Sequence, residues 1–408
     1  HRTYGRLTCK QSFVSDFTSE IKSKEINHMQ NGLFNITEEQ QSLVELIRDF
    51  MTKEIKPHVL EWEKEGHYPQ EIIEQGIEMG LHMLQVPEEY GGMGLDTTTA
   101  AMMIEEGAKV ESTFMGMFNV TSMGGKIVMA AGNEEQKQYY SGLLQKGYLS
   151  SFCLTEPDAG SDSAAVRTTA VRKGDSYVIN GTKMFITNAS LASVFLVVAT
   201  LDPSKGSKGL ATFIVEKDRP GVTVGKKIEK IGMRLSNTAE VIFDNVEIPA
   251  FNLIGTEEGG FANAMKVLTA SRPIIAASSL GACQLARDLA IQYSKERIAF
   301  GKPICAKQMI QEKIANMEML IQAGRGLVYN ATMLLDQGKP CNKEASIAKC
   351  FVTEAYGKIT DDALQIFGGY GLCDEYLISK LYRDSRVNRI IEGTNEIQRV
   401  VIAKSLLR

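Results

Sequence analysis

Histidine is scarce and poorly placed. The 408-residue chain has five: His1, His28, His58, His67 and His82. A Ser-His-Asp hydrolase would have to draw its base from the first fifth of the chain. A histidine-rich metal site is disfavoured for the same reason. The seven cysteines are Cys9, Cys153, Cys283, Cys305, Cys341, Cys350 and Cys373, an odd number without a C-x-x-C pair. That argues against a zinc ribbon and a disulfide framework, and it points to a reducing compartment. Charge of one sign is also missing. The formal net charge is −4, so the chain has no electrostatic footprint for nucleic acid. No uninterrupted apolar run reaches the length of a membrane span. The glycine-rich stretch Val86-Pro-Glu-Glu-Tyr-Gly-Gly-Met-Gly-Leu95 is not G-x-G-x-x-G and follows no clear strand, which removes a Rossmann unit. There is no internal repeat. If the chain is an enzyme, its acid–base work falls to carboxylates.

What is present is ordinary globular material, 44% hydrophobic and 23% charged, and long enough for two or three domains. Residues 1–28 are polar, of mixed charge and without periodicity. Arg2, Arg6 and Lys10 suit a cleaved targeting segment, whereas Asp16, Glu20 and Glu25 do not. We expect residues 1–35 to be a leader or non-native extension. The location expected is the mitochondrial matrix if a transit peptide was removed, or the bacterial cytoplasm if Met29 is the start. Residues 36–150 read as an all-α domain. Thr37-Glu-Glu-Gln40 fits a capping box, and helical patterns cover 69–84, 97–110, 114–131 and 134–145. Residues 151–255 read as a β domain of sandwich or barrel type, with strands at 194–201, 210–215, 222–224 and 241–243. Asn180-Gly181 between 177–179 and 182–186 predicts a hairpin turn. Residues 256–408 read as a four-helix bundle with helices over 261–294, 306–337, 342–367 and 393–406. The fold class expected is therefore α+β, mainly α.

Three stretches carry candidate chemistry. In Arg389-Ile-Ile-Glu-Gly-Thr-Asn-Glu-Ile-Gln-Arg399, Glu392 has Ile390 and Ile391 on one side and Gly393 and Thr394 on the other. Desolvation by that flank raises a carboxylate pKa toward the range of a general base. The same letters read equally as a loop-to-helix junction capped by Thr394. Phe152 to Asp162 has the polar and glycine density of a loop that wraps a large polar ligand, or of a surface turn. Lys183 to Asn188 places an aromatic before a hydroxyl, which suits a ring cofactor or simply a strand core.

Taken together, these residues resemble the acyl-CoA dehydrogenases, flavoenzymes that form a 2,3-double bond in an acyl-CoA. The marks are Leu154-Thr-Glu-Pro-Asp-Ala-Gly-Ser-Asp162, Asn180-Gly-Thr-Lys-Met-Phe-Ile-Thr-Asn188, Glu296-Arg-Ile-Ala-Phe-Gly-Lys302, Gln365-Ile-Phe-Gly-Gly-Tyr-Gly371 and Ile391-Glu-Gly-Thr394. The likeness runs from about Ile36 to Arg408 and is to the short- and medium-chain, butyryl-CoA dehydrogenase-like type. It implies an α domain, a β domain and a four-helix bundle, in that order.

The resemblance also implies roles. Glu392 would remove the α-proton, its backbone amide and a flavin ribityl hydroxyl would hold the thioester carbonyl, and the β-hydride would pass to flavin N5. FAD would be bound by Phe152, Leu154, Thr155, Gly160, Ser161, Phe185, Ile186 and Thr187. It would also be bound by Arg297, Phe300, Gln308, Gln365, Gly368, Gly369, Thr394 and Glu396, partly across a subunit interface of a homotetramer. Ser161, Arg272 and Gly393 match positions near the acyl-CoA. Some family members carry the base on an earlier helix, but 261–275 contains no Asp or Glu here. The chain departs from many members at Ile391, where Tyr is common. It also departs at Phe185, Phe152 and Glu396, where some have Trp, Tyr and Gln. An electron-transferring flavoprotein would accept the electrons. Other readings are an enoyl-CoA reductase running the reaction in reverse, an oxidase, and a non-catalytic flavin-binding scaffold.

Overall fold

The computed structural model describes residues 36–407. The expectations for residues 1–35 lie outside them. Helix α1 (Glu38–Phe50) opens on the expected box, Thr37 N–H donating to Gln40 Oε1 (3.1 Å) and Gln40 N–H to Thr37 Oγ1 (3.2 Å). The boundary between two compact units of the chain falls inside this helix, after Leu46.

The second unit, from Ile47 on, begins with a helical part. It holds α2 (Val59–Glu65), α3 (Gln70–Glu78), α4 (Thr97–Ala108), α5 (Ser112–Ala131) and α6 (Glu134–Gln145). Pro57 sits in a short 3-10 turn between a π-helical stretch and α2, as a residue without an N–H must. The middle part is one eight-stranded mixed sheet. Its strands are β1 (Ser150–Cys153), β2 (Thr169–Lys173), β3 (Ser176–Thr187), β4 (Val194–Thr200), β5 (Leu210–Glu216), β6 (Val222–Val224), β7 (Thr238–Pro249) and β8 (Leu253–Ile254). The order is β6-β7-β3-β2-β4-β5-β8, with β1 parallel to β4. One face encloses a core of Tyr177, Phe195, Phe213, Phe243 and their neighbours. The other face packs on α5 and α6 through Leu196, Ile214, Ile127 and Tyr140.

The expected hairpin at Asn180-Gly181 is not there. β3 runs straight through both residues, and the tight turn lies at Gly174-Asp175, between β2 and β3. Asn180-Gly181 instead marks a bulge against β7, where the register shifts and Asn180 Oδ1 accepts from Asn245 N–H (2.8 Å). Glycine is needed because a Cβ at 181 would lie 2.4 Å from Thr168 Oγ1 and 2.7 Å from Thr168 Cα.

The last part has five helices where the sequence predicted four: α7 (Gly260–Glu296), α8 (Gln308–Asp336), α9 (Asn342–Phe367), α10 (Leu377–Asn388) and α11 (Asn395–Leu406). The extra one, α10, is short and polar on average, with an apolar stripe confined to Leu377, Ile378, Leu381 and Tyr382. It is held by Lys380, buried between Asp384 (2.6 Å) and Glu111 (2.7 Å), while Asp384 also accepts from the Met233 amide of the β part. Helix α7 packs on α9, α8, α4 and α5 and keeps Pro273 in its interior. By length and composition alone α7 passes for a membrane span. Yet 67% of its most apolar window is buried inside the protein, where it serves as core.

Gly181→Ala is expected to destabilise the protein by about 1–3 kcal/mol through overpacking against Thr168, read as a lower urea midpoint. A midpoint unchanged from wild type would mean that the bulge relaxes freely.

Candidate active site

The site is built on the turn between α10 and α11. Glu392 has φ 58° and Gly393 φ 88°, so two successive residues are left-handed. For glutamate that conformation costs on the order of 1–3 kcal/mol and persists only when its surroundings fix it. They do. Asn395 N–H donates to Arg389 O (3.0 Å), closing the turn. Lys349 Nζ, on α9, donates to Gly393 O (2.9 Å) and Asn395 Oδ1 (2.9 Å). Gln398 Nε2 also donates to Gly393 O (2.9 Å). Thr394 caps α11, its Oγ1 accepting from Ile397 N–H (3.3 Å), so the capping role read from the sequence holds alongside any other. The Glu392 amide donates to no other group among the described residues.

The residue Glu392 is half-buried, but its Oε2 is fully buried and without a hydrogen-bond partner. Burial pushes its pKa up from 4.5 to about 7, against the lowering fields of Arg272, Lys349 and Lys126. The Ser271 hydroxyl beside it also favours the charged form, an influence between those of Lys349 and Lys126, without closing a hydrogen bond. Burial lowers Lys349 to about 8, with Glu392 pulling the other way. Arg272 is 5% exposed and donates from Nη1 to Asn342 Oδ1 (2.8 Å) and Ser346 Oγ (3.2 Å), while its Nε is orphaned. Glu392, Gly393 and Arg272 are thus brought together.

A second set gathers beside it. Phe152 and Leu154 pack with Ala264 and Leu268 on α7, one turn before Ser271. Met184 N–H donates to Thr155 O (2.8 Å), and the buried Lys183 Nζ reaches Leu154 O (3.1 Å) and Glu156 Oε1 (2.7 Å). This clips the 154–156 loop to β3. At the bulge on β3, Phe185 has φ 58° and is 61% exposed. A strained position that holds a bare aromatic ring outward, next to Thr155 and Thr187, fits stacking on a planar cofactor. Gly160 faces open space and Ser161 is exposed. Ile186 is buried in the sheet core, so only its backbone can meet a ligand.

The remaining positions lie elsewhere. Arg297, Gly368 and Gly369 line a cleft of about 430 Å³ with Tyr293, Phe367 and Tyr370. The Arg297 guanidinium lies 5.7 Å from the Tyr370 ring centre. Gln365 and Gln308 are exposed, and Phe300 is 93% exposed at φ 55°. Glu396 is exposed on the first turn of α11. At about 1.5 Å per helical residue, this cleft is roughly 37 Å along α7 from Arg272. One chain does not bring the two sets together. Sequence reasoning missed Lys349, Lys126, Ser271, Asn395 and Gln398. The available signal for Lys349 was a lone lysine within the apolar stretch 345–352.

Three family models match in order: acyl-CoA dehydrogenase N-terminal domain (37–147), middle domain (151–246) and C-terminal domain (258–407). An acyl-CoA dehydrogenase of Bacillus subtilis is 44% identical over 375 residues, covering 91% of this chain and 99% of the relative. A 3-(aryl)acrylate reductase of Clostridium sporogenes is 42% identical over 375 residues, covering 91% and 99%. The structure of butyryl-CoA dehydrogenase from Megasphaera elsdenii superposes with a TM-score of 0.90 at 38% identity, covering 92% of this chain and all of the other. The chain belongs to the acyl-CoA dehydrogenase family, FAD-dependent oxidoreductases acting on CH–CH bonds.

Proposed function

We propose that the chain converts a short- or medium-chain acyl-CoA to the trans-2-enoyl-CoA, with Glu392 as the base. The observation that carries this is the Glu392 carboxylate, held by a strained turn, stripped of hydrogen bonds at Oε2 and raised to about 7. A buried, unpartnered carboxylate near neutrality is poised to take a proton. The free Glu392 amide is placed to hold the thioester carbonyl and stabilise the enolate that forms as the α-proton leaves. FAD, when bound, supplies the acceptor for the hydride from the β-carbon, and the electrons left at the α-carbon form the double bond. Phe152, Leu154, Thr155, Gly160, Ser161, Phe185, Ile186 and Thr187 would line the flavin, with Ser161, Arg272 and Gly393 toward the acyl-CoA. The separation of Arg297, Phe300, Gln308, Gln365, Gly368 and Gly369 from that place supports their serving the cofactor of a neighbouring copy, in a homotetramer. An electron-transferring flavoprotein would receive the electrons.

The reverse reaction is the second reading. Its support is the arylacrylate reductase relative, together with a Glu392 that is about half protonated at neutral pH and serves as acid as readily as base.

The test is anaerobic bleaching of the flavin on adding acyl-CoAs from propionyl to palmitoyl. Bleaching by one chain length supports the dehydrogenase. No bleaching, with reoxidation of the reduced protein by enoyl-CoAs, supports the reductase. Glu392→Gln is expected to keep its flavin and lose about 10²–10⁴-fold in bleaching rate. Retained turnover would exclude Glu392 as the base. The wild-type rate should rise with pH through about 7 and level off above it, since the ionised form is the active one.

The same shift acts on stability. The folded pKa lies above the ordinary 4.5, so the native state holds an extra proton between these values. Its stability relative to Glu392→Gln should therefore fall as pH rises from about 4.5 to about 7 and stay flat beyond. Allowing for partial exposure, the loss is on the order of 1–2 kcal/mol, measurable in urea midpoints.

A further inference from the structure

We propose that Lys349 and Gln398 are positioning residues of the proton-transfer step: gripping the carbonyls of Glu392 and Gly393 from two helices, they hold the Glu392 carboxylate and amide at the aim the reaction needs. This rests on the dehydrogenase reading above and adds what stands behind its base. Lys349 on α9 donates from Nζ to Gly393 O (2.9 Å). Gln398 on α11 donates from Nε2 to the same oxygen (2.9 Å) and to Glu392 O (3.3 Å). Both side chains are wholly buried. A Cβ on Gly393 would lie 2.8 Å from Gln398 Nε2, so the amide is pressed against the bare Cα. Gly393 O thus has both lone pairs engaged. On either side, Ile391 N–H donates to Val387 O (3.2 Å) and Asn395 N–H to Arg389 O (3.0 Å), so Glu392 hangs between anchored peptides. In a planar trans peptide the N–H points away from the C=O. Gripping these two carbonyls therefore turns the amides of Gly393 and Thr394 the opposite way, and neither donates to another group among the described residues.

Neither side chain is the one that stability alone selects. The buried lysines among the described residues are Lys183, Lys349 and Lys380. Lys183 meets Glu156 (2.7 Å), and Lys380 meets Asp384 (2.6 Å) and Glu111 (2.7 Å). Lys349 meets no carboxylate among the described residues. Its second partner is the neutral Asn395 Oδ1 (2.9 Å). An ammonium buried against neutral acceptors destabilises the fold. Gln398 leaves its acceptor end idle, since Oε1 is buried without a partner. The flipped amide would set that oxygen against two carbonyls, so only the donor end can face the turn. An apolar side chain of similar length avoids both losses. The two losses fall on the two groups that converge on one carbonyl, next to the base. Local rules broken together at one place are expected where residues supply aim and not stability. The pair also separates position from charge, because Gln398 is neutral. The charged groups acting on Glu392 are Arg272 on α7, Lys349 on α9 and Lys126 on α5. Those acting on Lys349 are Glu392, Cys350, Arg272 and Glu396.

The test uses the flavin-loaded protein as Lys349→Met and Gln398→Met, each of which removes the donor and keeps a side chain of similar length. Bleaching is followed as a function of acyl-CoA concentration, which separates binding from the saturated rate. Both variants are expected to keep flavin and to bind acyl-CoA as the wild type does, and to bleach roughly 10- to 100-fold more slowly at saturation. Deuterium at the α-carbon should slow them at least as much as it slows the wild type, because removal of that hydrogen is the step impaired. The pH midpoint of the rate tells the two apart. In Gln398→Met it stays near the wild-type value of about 7, and in Lys349→Met it moves up by about one pH unit as a positive charge beside the turn is lost. Unchanged saturated rates in both variants overturn the proposal and leave the dehydrogenase reading intact. So does weaker acyl-CoA binding with an unchanged saturated rate. Where one variant loses flavin the other decides, and loss from both overturns the proposal, because the pair then holds the fold and not the aim. If no acyl-CoA bleaches the wild type, the dehydrogenase reading itself fails and the proposal with it.

Discussion

The contact on which the site depends is the one between Lys349 and the Gly393 carbonyl. A glutamate in a left-handed conformation relaxes unless something opposes it. Here the opposition comes from a buried ammonium on a different helix, which also grips Asn395 at the first position of α11. That one side chain fixes the turn, sets where α11 begins and contributes a positive field to Glu392. Its own burial is tolerated because each of its partners is fixed too: Asn395 Nδ2 donates to Thr353 Oγ1 (3.0 Å), and Gln398 shares the load on Gly393 O.

The electrostatic balance follows from that geometry. Burial alone would push the carboxylate higher, and the nearby cations alone would hold it below its ordinary value. Desolvation prevails over them by a margin that leaves the group near neutrality. The protein uses a similar device for structure. Lys183 with Glu156 and Lys380 with Asp384 and Glu111 are buried and paired, and they clip loops and helices together. The site differs in that the opposite charges nearby do not touch.

Much of this was legible in the letters. The Ile-Ile-Glu-Gly-Thr run announced both a desolvated carboxylate and a helix cap, and both are present. Amphipathic patterns announced the helices, since burial of a stripe leaves a period in the sequence. What failed did so for identifiable reasons. Asn180-Gly181 carries a turn signature, but its letters say nothing of Thr168 pressing against the strand, which is what requires glycine there. Helix α10 is held by buried ion pairs, and its apolar stripe is short, ending at Leu381 and Tyr382 among polar residues. Lys349 and Lys126 look like surface residues in a one-dimensional reading, because only the packing of distant helices reveals what surrounds them.

Helix α7 is also a lever. It runs as one helix from Arg272 to the cleft at Arg297, and a continuous helix transmits displacement with little loss. Its one compliant joint is Pro273, which cannot donate to the carbonyl a turn earlier and so leaves that turn a bond short. The joint lies next to Ser271 and Arg272. A displacement at the far end would therefore bend the rod beside Glu392, so that load on one end of the helix would be felt at the turn that carries this carboxylate.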